Sequence, residues 1–179
     1  QENFKENPFL KKFYEDPVTY ALELENHFME DRFQQFQTFI YDTKGNSSGV
    51  ADHSLFRSLI FAKINLSPSD FDVFKKHYLE RSKTFSFPVK VIFLKHTIDR
   101  LKKNIIRRGR TFEQKISTEY LKKIERGYQS FFSHESKYDF CTVDLTDLDF
   151  VKEEAAYQII LLRIKAFLAF GKNPIKPHH

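Results

Sequence analysis

Val89-Lys90-Val91-Ile92-Phe93-Leu94 is a short apolar run, rich in β-branched residues and broken by a single lysine. Placed after Pro88, it reads as a strand buried on both faces. Thr97 then caps a basic helix running through Arg107, and Gly109 suits its C-terminal stop. A second strand is expected over 140–143, with a helix from Ser117 or Thr118 before it and a last helix over about 150–170. The strands are short, apolar and separated by helices. That pattern predicts an α/β fold, a parallel sheet flanked by helices on both faces.

Upstream of this core the chain is helical. Asn7-Pro8 and Asp16-Pro17 each read as an N-cap followed by the first helical residue. They open a short helix through Tyr14 and a longer one whose apolar positions Tyr20, Ala21, Leu24, Phe28, Phe36 and Phe39 recur at helical spacing. A Gly/Asn/Ser loop over 45–49 follows, then a three-residue strand over 50–52 and a helix over 55–64. Ser67-Pro68-Ser69-Asp70 caps a further helix with Phe71, Phe74, Tyr78 and Leu79 on one face. The whole of 1–179 is expected as one domain, with 172–179 a polar tail.

Downstream of the strand lies Arg107-Arg108-Gly109-Arg110-Thr111-Phe112-Glu113-Gln114, three guanidinium groups around one glycine with a carboxylate close behind. Planar guanidinium forks suit bidentate contacts to phosphate oxygens, and the glycine lets the backbone turn sharply over a ligand. The simpler reading is the basic end of a surface helix, where cations offset the macrodipole.

Composition narrows the classes. The chain has 179 residues, 21 of them phenylalanine and none tryptophan, so the core is expected to be Phe-rich. Net charge is +5, which suits an anionic small ligand as well as nucleic acid. The basic cluster Lys102, Lys103, Arg107, Arg108 lacks an aromatic stacking platform, so no nucleic-acid partner is expected. The single cysteine, Cys141, fits a reducing compartment, and a cytoplasmic setting is the expectation. The most apolar run, 159–170, is interrupted by Arg163 and Lys165, so no membrane span is expected. The histidines and the cysteine show no zinc spacing.

Set in order, these segments resemble the deoxynucleoside kinase family. The resemblance rests on Asn7-Pro8-Phe9-Leu10 with Phe13-Tyr14-Glu15-Asp16-Pro17, on 28–32, and on Ser58-Leu59-Ile60-Phe61-Ala62. It continues through Arg108-Gly109-Arg110 with Glu113-Gln114, then Tyr120-Leu121 and Tyr128, which look like the family's phosphate-covering lid. It implies a P-loop nucleoside-kinase architecture of three layers and phosphoryl transfer from ATP, with Mg²⁺, to the 5′-hydroxyl of a deoxynucleoside. The partners implied are a deoxynucleoside and a nucleoside triphosphate, in a protein that is a homodimer in many relatives.

Residue by residue, the resemblance implies Glu2 as the carboxylate that takes the hydroxyl proton. Arg108 and Arg110, with Arg107 beside them, are the implied phosphate clamps. Asp52 is the implied magnesium-side acid, and Tyr14 and Glu113 the pair on the sugar 3′-hydroxyl. Simpler readings stand beside these: Glu2 an exposed terminal acid, Asp52 a helix N-cap, Tyr14 a core-edge aromatic, Glu113 a lid cap.

The chain departs from the family pattern in several places. It contains no Gly-x-x-x-x-Gly-Lys-Ser/Thr loop. The expectation is therefore an N-terminally truncated form, inactive as it stands. His53 occupies the position where the family has Arg, so its charge there depends on pH. The family's base-contacting Asp falls on Arg57 or Ser58. Glu25, seven residues before Arg32, stands where most relatives have Gln. A carboxylate pairs with the adjacent N1–H and N2–H₂ donors of guanine, which favours a purine; the plainer reading is a helix-surface charge. The function expected is 5′-phosphorylation of a deoxynucleoside. The alternative is an inactive module of the same fold that binds a nucleoside or a protein partner.

Overall fold

The computed structural model describes residues 7–42, 49–52, 54–85, 89–114, 116–134 and 138–171. Seven helices and two strands follow one another among them. They are α1 (Leu10–Glu15), α2 (Pro17–Asp42), α3 (Arg57–Asn65), α4 (Pro68–Ser82), β1 (Lys90–Lys95), α5 (Ile98–Arg108), α6 (Thr118–His134), β2 (Asp139–Asp144) and α7 (Glu154–Phe170). A single 3₁₀ turn, Thr111–Glu113, lies between α5 and α6. Packing divides the chain into two compact units: residues 1–86 with 123–128, and residues 87–122 with 129–179.

Caps foreseen from the sequence set the helix starts. Asp16 Oδ1 accepts from the Thr19 amide at 3.2 Å ahead of α2. Ser67 Oγ accepts from the Asp70 amide at 3.2 Å ahead of α4. Thr97 Oγ1 accepts from the Arg100 amide at 3.3 Å ahead of α5. Each satisfies one of the orphan donors of a first turn. Asn7 differs: its Oδ1 accepts from Phe9, and α1 begins only at Leu10. Gly109 closes α5 at φ +71°, in the left-handed region where a Cβ is penalised, as the sequence suggests.

In the first unit, Met29 and Phe33 of α2 pack with Ala62 of α3 and with Phe74 and Tyr78 of α4. The small Ala62, fully buried, leaves room for the larger side chains around it. Phe33 also meets the rings of Tyr78 and Phe85 at 5.6 and 5.3 Å. In α6 of this unit, a Cβ on Gly127 would lie 3.0 Å from Ile60 Cγ2 and 3.1 Å from Ile64 Cδ1, so glycine allows the close approach.

The second unit is built on β1 and β2, which pair in parallel with Ile92 opposite Cys141 and Leu94 opposite Val143. Side chains alternate across the pair. Cys141 and Val143, with Ile92, face Ile160, Ile164 and Phe167 of α7. Phe140 and Phe93 meet Phe132 of α6 at 4.6 and 5.4 Å. The two contact sets use opposite parities of β2, so helices cover both faces of the parallel pair. This is the layered α/β arrangement expected. Burial holds the Cys141 thiol above its ordinary pKa. Just past the end of β2, the Thr146 hydroxyl and amide hold the Asp144 carboxyl below the usual carboxylate range.

Four expectations are corrected. Residues 50–52 form no strand, because three residues gain little ladder energy and no neighbouring strand pairs with them among the described residues. The third helix begins at Arg57 rather than Leu55, with Phe56 as its N-cap and no side-chain cap, so Asp52 does not cap it. The last helix begins at Glu154 rather than near Phe150, and Phe150 lies in the preceding turn. The strand at β1 is half-buried rather than buried, and Leu94, Phe39 and Leu79 are exposed although their periodicity suggested core. The expected loop 45–49 and tail 172–179 lie outside the described residues, save Gly49.

Phe33 is fully buried, so Phe33→Ala is expected to cost about 3–5 kcal/mol of stability by cavity formation. Denaturant unfolding of the two proteins side by side checks this. Because the folded Asp144 has a lowered pKa, its contribution is present above the ordinary carboxylate pKa and is lost as pH falls through the folded value. Asp144→Asn should therefore lower the pH 7 midpoint and flatten the acid side of the stability–pH curve, the two proteins converging as pH falls, as thermal melts from pH 7 to pH 3 will read.

Candidate functional site

The first unit holds the residues expected at the nucleoside. Glu25 and Arg32 lie seven positions apart on α2, hence on one face of the helix. Both are buried, at 2% and 3% exposure, which overturns the reading of Glu25 as a surface charge. Each is held by a side chain of α3. Asn65 Nδ2 donates to Glu25 Oε1 at 2.7 Å, and Arg32 Nη1 donates to Ser58 Oγ at 2.8 Å. Ser58 and Asn65 are themselves seven residues apart, in the reverse order. Antiparallel helices thus carry two polar rungs in register. Between them lie Met29 of α2 and Ala62 of α3, both within the apolar core.

Arg32 also lies over the Phe28 ring, 5.4 Å from its centroid, so the guanidinium has an aromatic face as well as the serine oxygen. Tyr14, near the C-terminal end of α1, is partly exposed and meets Phe13 edge-on at 5.6 Å. Asp52 is exposed in the irregular stretch before α3. Glu2 and His53 lie outside the described residues. Neither Ser58 nor Asn65 stands out in the sequence as a partner of the charged residues. Small polar side chains have no periodic or motif signal, and their partners are remote along the chain.

The second unit gathers the basic segment. Arg107 and Arg108 form the last turn of α5, Gly109 reverses the chain, and Arg110 precedes the 3₁₀ turn that ends in Glu113. Glu113 is 7% exposed and binds two guanidinium groups: Arg108 Nη2 at its Oε2, and Arg110 Nη1 at its Oε1 at 3.1 Å. Gln114 Nε2 donates to the carbonyls of Ile105 and Arg110, both at 3.2 Å, fastening the end of α5 to the turn beyond it. Arg107 is exposed. The arginines are therefore oriented rather than frayed. Two of them already converge on one oxyanion, the chemistry a phosphate group presents.

Other members of the basic cluster are used differently. Lys102 Nζ donates to Thr118 Oγ1 at 3.1 Å. Arg100 pairs with Asp149 at 3.3 Å; burial opposes the charge of that carboxyl, but Arg100 holds its pKa below the usual range. Among the described residues no group of three or more His, Cys, Asp or Glu could hold a metal ion. The exposed Asp52 carboxylate fits Mg²⁺ that takes further ligands from water and phosphate. No helix of the described residues is long and apolar enough to cross a membrane.

Comparison with known proteins agrees with this geometry. Residues 1–169 match the family model described as deoxynucleoside kinase. The chain is 29% identical over 172 residues to the deoxyguanosine kinase of Bacillus subtilis (strain 168), covering 93% of this chain and 83% of that protein. It is 28% identical over 164 residues to the deoxyadenosine kinase of Dictyostelium discoideum, covering 89% and 65% respectively. The solved deoxyadenosine kinase from M. mycoides with bound dATP superposes with a TM-score of 0.75 at 22% identity, over 92% of this chain and 84% of that one. The same M. mycoides protein solved with the products dCMP and dCDP gives a TM-score of 0.75 at 21% identity. With the layered parallel fold, the oriented arginines and a family match across nearly its whole length, the chain belongs to the deoxynucleoside kinase family.

Proposed function

We propose that the protein transfers the terminal phosphoryl group of ATP to the 5′-hydroxyl of a purine deoxynucleoside. The observation that carries the purine reading is Glu25, a buried carboxylate on the same face of α2 as Arg32. An ionised carboxylate only accepts hydrogen bonds, and a guanidinium only donates them. Guanine offers adjacent N1–H and N2–H₂ donors on one edge and O6 and N7 acceptors on the other, so the two side chains match it by sign. Adenine presents an acceptor at N1, which a carboxylate repels. Two curated relatives with purine deoxynucleoside kinase names support the same direction.

The remaining roles are those that the family resemblance implies. Arg108 and Arg110 would hold phosphate oxygens as charge moves in the transition state, with Arg107 adding positive potential beside them. Glu2 would take the proton of the 5′-hydroxyl, and Tyr14 and Glu113 would recognise the sugar 3′-hydroxyl. His53 would add a hydrogen-bond donor near Asp52. Asp52 would hold Mg²⁺, which when bound neutralises phosphate charge. A homodimer in the cytoplasm is the proposed working form.

Phosphate transfer from labelled ATP to each of the four deoxynucleosides, using the full-length protein, tests the proposal. Deoxyguanosine is expected to have the highest kcat/KM; preference for a pyrimidine would refute the reading of Glu25. Arg108→Ala and Arg110→Ala should each lower kcat by about 10²–10³-fold, the usual loss on removing one transition-state donor. Glu25→Gln should shift preference from deoxyguanosine toward deoxyadenosine by about tenfold, since Gln both donates and accepts. Parallel steady-state kinetics on both nucleosides measure that shift.

A further inference from the structure

Two polar rungs join α2 to α3. Glu25 and Arg32 are ionisable, while the α3 partners Asn65 and Ser58 are neutral. A neutral partner orients a charged group without cancelling its charge. Ser58, which with Arg57 stands where the family pattern places an acid, is 1% exposed and accepts from Arg32. Asn65, the last residue of α3, carries the other rung.

Glutamate is a long side chain with three rotatable bonds, so burial alone does not decide where its two oxygens point. The contact with Asn65 fixes Oε1. An amide carbonyl facing the carboxylate would be repelled, so the NH₂ end must face Glu25, as the 2.7 Å contact has it. That length is typical of a charge-assisted bond. It ties the carboxylate to the end of a helix whose own position is set by Ala62 and its core neighbours.

We infer that Asn65 is a specificity-positioning residue: through its hydrogen bond it aims the Glu25 carboxylate and thereby sets the preference between guanine and adenine. The inference rests on the proposed role of Glu25 as base reader. Nothing in it requires Asn65 to touch the nucleoside.

The test compares kcat/KM for deoxyguanosine and deoxyadenosine in the full-length protein and in Asn65→Leu, Asn65→Asp, Glu25→Gln and the Asn65→Asp/Glu25→Gln double variant. Asn65→Leu removes the donor and is expected to lower the deoxyguanosine-to-deoxyadenosine ratio about tenfold, the scale of a lost polar contact in recognition. Asn65→Asp, of the same shape, puts two carboxyl groups together that cannot both ionise. It should lower the same ratio, and it supplies the reading if the leucine variant does not fold. In the double variant the ratio should equal that of Glu25→Gln alone, since coupled residues are not additive. A purely structural Asn65 would lower both rates equally and leave the ratio untouched, which would overturn the inference. If Glu25→Gln shifts the ratio and Asn65→Asp does not, the positioning role alone fails. If Glu25→Gln itself leaves the ratio unchanged, the base-reading role of Glu25 falls, and the inference with it.

Discussion

A charge withdrawn from water must be met by hydrogen-bond partners, and three ionisable groups are buried among the described residues: Glu25, Arg32 and Glu113. An isolated buried charge costs several kcal/mol even after relaxation, so such groups persist only where the fold supplies partners. For Glu25 and Arg32 those include Asn65 and Ser58 of α3. This ties the helix packing of the first unit to its chemistry. A slip of one residue along either helix turns its side chains by about 100° and would break both rungs at once. Met29, Phe33 and Ala62 supply the apolar free energy of the same contact. The polar rungs select one register among those the apolar surfaces would accept.

Local rules carried the sequence a long way. The caps at Asp16, Ser67 and Thr97 and the stop at Gly109 are visible because each involves residues within one turn of one another. The strand around Ile92 and Phe93 is visible because its apolar run is short and sits between helix signals. Reading failed where the answer lies across space. Phe39 continues the periodic stripe of α2 yet is exposed, since periodicity marks a face but not where the neighbouring helix ends. Leu79 of α4 fails for the same reason. Val50 has the residue type of a strand without a neighbour to pair with among the described residues.

The site was legible to different depths. The arginine segment declares itself by density of one residue type around a glycine, and the resemblance adds its phosphate-binding role. Its internal order does not show in the sequence: that Glu113 would bind Arg108 and Arg110, or that Gln114 would fasten two carbonyls, needs the turn to be built. Ser58 and Asn65 were less visible still. They are separated from their partners by 26 and 40 positions, and a serine or asparagine in a helix has no pattern of its own.

The pairing of Glu113 with both arginines raises the question whether it blocks the proposed phosphate site or prepares it. A guanidinium carries five N–H donors and a carboxylate about four lone-pair sites. Glu113 is met by Nη2 of Arg108 and by Nη1 of Arg110, one nitrogen of each guanidinium. What the pairing fixes is direction: two long cationic side chains share one anchor, and the entropy of aligning them is already lost before any ligand arrives. The carboxylate also offsets part of the repulsion between neighbouring guanidinium groups, which would otherwise spread them. On the proposed role of these arginines, the pairing prepares them for anions instead of shutting them off.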